Sequence, residues 1–532
     1  MSTSALMAPL SFASAHGSNG RCTRLCRPGA QQTALVYPHS CSARRISILP
    51  LARGRTISVR VGPTALETPP RLARAARWRP PGGGADLRTC WRALWTSRLV
   101  VLASGVFAVL QFGRAPGAGA FDPARLTAPF PYLGNLLAAP LARWDSVWYL
   151  IIARGGYDHA PARTAFYPLY PLLIRIIGTV LGSDLAAGVV ISLACFAVGL
   201  VVVHRLTSLE LGEDNAGVCV MLLAFSPMAF FFSAVYTESL FLALSAGCIY
   251  RARRGRWASA CLLGGLAAAS RNTGVLLAVP LVLLYLYGPR ADSAVLARAG
   301  GGSVGMGVPG GGVPRAGIPR GGVPHAQAGR SSRAHTLLAR LRPRYPLRAS
   351  FLWLALVPAG LCAYIAWLAL TTGNGLAPFG VEHLWLRQFA WPWGGVWQGA
   401  VAAWDGLRQL IHGPPPPTYF TPAAGNALTV AGQNLMLFAF LVAGAIACVG
   451  VFRKLPFAYG AYVVVALAAT LSYPVTPQPL ASLPRYELVL FPLFMWGATW
   501  VRRRRLVTPA IATGAVLLGV FTAEFATWRF VA

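Results

Sequence analysis

Acidic side chains are scarce in this sequence: 532 residues carry only 15 Asp and Glu against 47 Lys and Arg, and charged residues of both signs make up 12% of the chain. A soluble globular domain is usually about a quarter charged. With 55% hydrophobic residues and a mean hydropathy of +0.54, the chain is not a soluble globular protein. It reads as an all-α polytopic membrane protein. Lysine is nearly missing; Lys454 stands alone among arginines. There is no phosphate-cradling GxxxxGK[ST] loop, no GxSxG turn, no HExxH, and no GxGxxG after a strand. These absences exclude a soluble nucleotide-binding domain, so a donor substrate would arrive within the membrane. The ten cysteines are scattered, and no Cys or His set has metal-ligand spacing. No metal and no cofactor is expected.

The net charge of +32 raises nucleic-acid binding, but its distribution argues against that reading. The arginines fall in tails and short connections between apolar runs, as the positive-inside rule requires. Residues 1–96 are rich in Arg, Ser, Pro and Gly, with Glu67 and Asp86 the only acids, and lack a signal-peptide core. They read as a disordered tail or a transit-like segment. Residues 289–349 repeat a Gly/Val-Pro theme and read as a flexible cytosolic insert.

Between these lie apolar segments at about 97–113, 185–204, 216–232, 237–250, 257–270, 274–288, 350–370, 427–451, 457–473, 486–501 and 507–525. They form an N-terminal transmembrane half (97–288) and a C-terminal half (350–532), with about 11 spanning helices. The basic clusters at the N-terminus, Arg251–Arg256, 289–349, Arg453-Lys454 and Arg502–Arg505 share one side of the membrane if 166–182 does not cross. That segment, with Pro168, Pro171 and Arg175, then becomes a juxtamembrane or re-entrant helix, and Arg175 is expected to be buried. The opposite side receives a first loop (114–184), Tyr236–Glu238, Arg271-Asn272, a Trp-rich loop (371–426) and Pro474–Arg485.

The polar residues on that second side are the candidates for chemistry. Asp145, in Arg143-Trp144-Asp145 with Trp148 nearby, is a carboxylate at a membrane boundary. It is suited to accept a proton from an acceptor hydroxyl, or else to pair with Arg143 while the tryptophans anchor the interface. Tyr157, Asp158 and His159 are either a sugar-binding cluster or a loop cap. Glu238, after Tyr236-Thr237, and Arg271, before Asn272, are each set in apolar sequence and need partners. They serve one another as an ion pair or they bind substrate. Arg485 is suited to a phosphate or to a helix-end ion pair with Glu487. Trp385, Trp391, Trp393, Trp397 and Trp404, with Glu382, His383 and Asp405, occupy the 371–426 loop.

Six stretches together resemble the PIG-V-like mannosyltransferases: Arg143-Trp144-Asp145 with Trp148; Gly156-Tyr157; Ala165-Phe-Tyr-Pro-Leu-Tyr-Pro-Leu; Phe225-Ser-Pro through Tyr236-Thr-Glu-Ser-Leu-Phe; Ser270-Arg-Asn-Thr-Gly; and Pro484-Arg-Tyr with Phe491-Pro-Leu. The resemblance runs in order from about Leu99 to Trp500. It implies a GT-C-like bundle with a large first lumenal loop and juxtamembrane helices, and an inverting glycosyltransferase embedded in the endoplasmic reticulum membrane, with a plastid membrane as the alternative. It implies Asp145 as the catalytic carboxylate. Arg143, Trp144, Trp148, Tyr157, Asp158, Tyr236, Glu238, Arg271, Asn272 and Arg485 would bind substrate. The implied donor is dolichyl-phosphate mannose and the implied acceptor a glycolipid, with the second (α-1,6) mannose of the GPI precursor as product. A small membrane accessory subunit belongs to the same expectation. The sequence departs from the family at His159-Ala160-Pro161, where an acid often follows the Gly-Tyr pair. This leaves open a different acceptor, and beyond it a polytopic lipid or sugar transporter, although no internal repeat is visible.

Overall fold

The computed structural model describes residues 84–158, 160–292, 343–413, 427–475 and 478–531. His159, nearly all of the 1–96 tail, residues 293–342 of the Gly/Pro insert and residues 414–426 of the Trp-rich loop lie outside the described residues. Among the described residues no β-strand forms; a single bridge pairs Arg387 with Val475.

A helix occurs at every expected apolar segment. The first half contains α1 (Ala85–Phe112), α2 (Tyr132–Ala138), α3 (Asp145–Gly155), α4 (Leu169–Leu181), α5 (Asp184–Leu211), α6 (Glu213–Ala224), α7 (Glu238–Arg253), α8 (Trp257–Ser270) and α9 (Ala278–Tyr287). The second half contains α10 (Leu356–Thr372), α11 (Trp391–His412), α12 (Ala427–Lys454), α13 (Phe457–Leu471), α14 (Leu483–Leu488), α15 (Phe491–Arg503) and α16 (Val507–Ala526). By length and apolarity five helical stretches are able to cross a bilayer alone: 86–112, 184–211, 349–372, 428–454 and 507–526. The pair 132–141 and 145–155, bent by 109°, makes a sixth if it is one span. The protein is therefore an all-α polytopic membrane protein.

Several sequence expectations need correction. The first span was expected from residue 97, but α1 begins at Ala85. Its first three turns carry Arg88 and Arg92 on exposed positions beside buried Cys90 and Ala93, so a one-sided apolar stripe suffices there. The 371–426 loop contains a 22-residue helix, α11, whose Trp393, Trp397 and Trp404 point outward while its glycines face the bundle. A Cβ at Gly395 would overlap the backbone carbonyl of Leu471, which cannot yield as a side-chain tip can, so the missing side chain brings the helix close to its neighbours. Arg175 is exposed rather than buried; its Nη1 donates to the carbonyls of Ala153 and Arg154 at 3.1 and 3.0 Å, meeting the C-terminal end of α3 where cations are favoured. At 13 residues, α4 is roughly 20 Å long, too short to cross alone. The ends of the 289–349 segment are packed: Arg290 lies over the rings of Trp257 and Tyr285 and pairs with Asp292.

Candidate functional site

The bend before α3 is a strained piece of backbone. Trp144 has φ 53° and ψ −114°, a conformation that costs on the order of 1–3 kcal/mol for a residue with a Cβ. One hydroxyl clamps it. Tyr236 Oη donates to the carbonyl of Arg143 (3.1 Å) and accepts from the amide of Asp145 (3.2 Å). The C-terminal residues hold the other side, since the Trp144 indole donates to Arg529 O at 3.3 Å and its ring packs on Phe121, Trp528 and Phe530. Asp145 is thus delivered at the first position of α3, where the helix dipole favours a carboxylate.

Arg485 arrives from the other half of the chain, also just after a left-handed residue, Ser482 (φ 69°). Its Nη1 donates to Asp145 Oδ2 at 2.6 Å. Its Nε lies 3.1 Å from Glu238 Oε1, close enough for attraction but without hydrogen-bond geometry. Glu238 Oε1 in turn accepts from Arg271 Nη1 at 3.1 Å. Four charges of alternating sign therefore run Asp145–Arg485–Glu238–Arg271. Glu238 is 1% exposed and Arg271 7%, whereas Asp145 keeps 27% of its side chain open. The buried members compensate one another, as the cost of burying a lone charge demands, and Asp145 is the member that faces solvent.

This chain lies in the wall of a cavity of about 460 Å³, within the range typical of small-molecule sites. The five features expected on one side of the membrane all contribute to it. The first loop supplies Trp144 and Asp145; the turn before α7 supplies Tyr236; Arg271 and Asn272 follow α8; the 371–426 segment supplies Glu382, Trp385 and Arg387; and Gln478, Arg485 and Tyr486 come from before and within α14. Phe530 and Val531 close one side. Among the lining residues three guanidiniums meet two carboxylates, and Glu238 supplies a third carboxylate directly behind them. Burial raises the Glu382 carboxyl above the ordinary glutamate value, with Arg387 opposing from 3.9 Å.

Of the residues singled out in the sequence, Asp145, Trp144, Tyr236, Arg271, Asn272 and Arg485 line the cavity. Glu238 sits directly behind, holding both arginines. Arg143, Trp148, Tyr157 and Asp158 are not among the lining residues. Arg143 does not pair with Asp145; it is 1% exposed, donates to the carbonyls of Ala526 and Ala142, and lies over the Trp528 ring. Trp148 stacks on Phe166 and meets Trp385 edge-on, so it backs the wall. Tyr157 donates to Phe166 O at 2.6 Å. Asp158, 65% exposed, faces Arg163 at 3.9 Å, the loop-cap alternative. Arg485 pairs with Asp145 and Glu238, not Glu487. Arg387, Gln478 and Tyr149 were missed, and nothing in their flanking sequence marks them; Tyr486 stands in the Pro484-Arg-Tyr stretch but was given no role of its own.

Fold and site define a class: a helical membrane protein whose polar and charged residues from both halves meet in one cavity. The particular relationship follows from comparison with known proteins. Residues 95–286 match the family described as Mannosyltransferase (PIG-V), and the resemblance read from the motifs is borne out there. Over 175 residues the chain is 35% identical to the GPI alpha-1,6-mannosyltransferase 2 of Rattus norvegicus, covering 30% of this chain and 35% of that protein. It is 31% identical over 173 residues to the protein of that name from Homo sapiens (30% and 34%). Over 127 residues it is 31% identical to the GPI mannosyltransferase 2 of Drosophila pseudoobscura pseudoobscura (21% and 28%). The matched region spans about a third of the length of these curated relatives. No solved structure matches.

Proposed function

We propose that the protein is a membrane mannosyltransferase that moves mannose from dolichyl-phosphate mannose to a glycolipid acceptor, adding the second, α-1,6-linked mannose of a GPI precursor in the endoplasmic reticulum. The reading is supported most by the Asp145–Arg485–Glu238–Arg271 chain in the cavity wall. It sets a partly open carboxylate beside guanidiniums, the two groups that transfer from a sugar phosphate requires. The names of the relatives supply the sugar and the linkage.

In this reaction the acceptor oxygen attacks the anomeric carbon and the carbon–oxygen bond to the donor phosphate breaks. The bonding pair leaves with the phosphate, and the hydroxyl proton passes to Asp145. Attack from the face opposite the leaving group inverts the anomeric centre. One base and one stabilised leaving group suffice, unlike glycosidases, which use two carboxylates. Arg485 and Arg271 receive the charge developing on the phosphate. Arg485 bonds to Asp145; a donor phosphate competes for the same guanidinium and so frees the carboxylate oxygen for the acceptor. Glu238 stays behind both arginines as a positioning residue. Tyr236, Asn272 and Trp144 border the sugar. A small membrane subunit beside the bundle is part of the same proposal.

Complementation of cells lacking the second GPI mannosyltransferase tests this, scored by surface GPI-anchored protein, with wild type and Asp145→Asn compared at equal expression. Rescue by wild type alone supports both the reaction and the role of Asp145. Failure of a correctly inserted wild type overturns the GPI acceptor. Rescue by Asp145→Asn overturns the carboxylate's role.

A further inference from the structure

A second cluster of ligand-type side chains lies away from the cavity. Asp86 in the first turn of α1, His204 in the last third of α5 and Glu213 at the start of α6 each present a ligand atom, and the three atoms lie within 4.8 Å of one another. Ser192, which bonds to Ala234 near the cavity, is about 18 Å further up α5 at the usual helical rise. Gly212 (φ 89°) makes the turn that returns Glu213 toward His204.

Two observations distinguish this group from an ordinary polar patch. His204 is 3% exposed, and its Nδ1 is buried with no hydrogen-bond partner. Asp86 is 6% exposed, yet among the described residues no ion pair reaches it or Glu213. Neighbouring acids at this end are paired: Glu210 with Arg253 and Asp214 with Arg502. A buried carboxylate and a buried unpartnered imidazole both cost free energy unless something binds them. A divalent cation meets both needs, since two carboxylates and a neutral imidazole carry the two negative charges it requires. The donor set of one nitrogen and two oxygens suits a first-row transition ion better than Mg²⁺ or Ca²⁺. Ser208 Oγ already donates to Glu213 Oε1 at 2.5 Å, the kind of outer hydrogen bond that orients a ligating carboxylate. No spacing in the sequence signals the set, because Asp86 is far from the other two along the chain.

We propose that Asp86, His204 and Glu213 form a divalent transition-metal site, with Zn²⁺ the best-suited ion and water completing the shell on the exposed Glu213 side. The ion ties the N-termini of α1 and α6 to the C-terminal part of α5. The inference does not rest on the reading of the cavity.

The test is calorimetric titration of Zn²⁺ into the full chain, purified in detergent and stripped with EDTA, with thermal unfolding followed in parallel. Wild type is expected to bind one equivalent that Glu213→Gln weakens at least tenfold and His204→Gln abolishes. Zn²⁺ should raise the unfolding midpoint of wild type and not that of His204→Gln. Glu213 is exposed, so its variant tests the site without a folding defect. Equal Zn²⁺ binding by wild type and Glu213→Gln, or no binding by wild type, overturns the proposal, whatever the protein does to sugars.

Discussion

Arg485 Nη1 lies 2.6 Å from Asp145 Oδ2, although 340 residues separate them in the chain. The contact closes the cavity wall by joining the first loop to the short helix α14. It also makes the two halves of the bundle chemically dependent on each other, because Arg485 reaches back to Glu238 in the first half.

Asp145→Asn separates chemistry from stability. The side chain is 27% exposed and Asn fills the same space and still offers Arg485 an acceptor oxygen, so stability should fall by about 1–2 kcal/mol, less than the loss of a fully buried partner costs. Mannose transfer should fall roughly 10²–10⁴-fold, the usual contribution of a positioned base. Radiolabelled transfer in microsomes and thermal unfolding in detergent read the two effects. A large stability loss with proportionate activity loss would make Asp145 merely structural.

Glu238→Ala should behave in the opposite sense. With 1% exposure and two guanidiniums at 3.1 Å, its loss leaves like charges buried together. Breaking such a pair costs about 3–5 kcal/mol. The unfolding midpoint should drop well below that of Asp145→Asn. A midpoint matching wild type would show that Arg271 and Arg485 need no shared counter-ion.

Glu382 gives the site a pH signature. Burial raises its carboxyl above the ordinary value of 4.5, so the folded protein holds this proton more tightly than the unfolded chain. Between 4.5 and the raised value the folded state binds more protons, and stability contributed here falls as pH rises through that window. Unfolding midpoints of wild type should therefore decline relative to Glu382→Gln as pH is raised from about 4.5. Parallel pH profiles for the two proteins would contradict the assignment.

Gly360→Ala tests the contact between α8 and α10. A Cβ at Gly360 would overlap the carbonyl oxygen of Gly265, and backbone cannot yield as a side-chain tip can. Overpacking of this kind costs about 1–3 kcal/mol, read as a lower midpoint. Gly432→Ala in α12, where an added Cβ meets nothing within 4 Å, should hold the midpoint or raise it by up to about 1 kcal/mol of helix propensity.

The helices were legible because each spanning segment is a long apolar run, a local property that survives without knowledge of its neighbours. α11 was not: its glycines and tryptophans break the apolar pattern, and only packing against α12 and α13 makes sense of them. Glu238 and Arg271 were recognisable as charges in need of partners because each stands in apolar sequence. Arg387 was invisible, since nothing local distinguishes it from other loop residues.

By itself the sequence determined the class of protein, the positions of most of its helices and the relationship carried by residues 95–286, because hydropathy and short motifs are written in adjacent residues. The tertiary structure decided which charges meet. Electrostatic pairing acts over a few ångströms in space, and Asp145 and Arg485 come within that distance only when both halves of the bundle have packed.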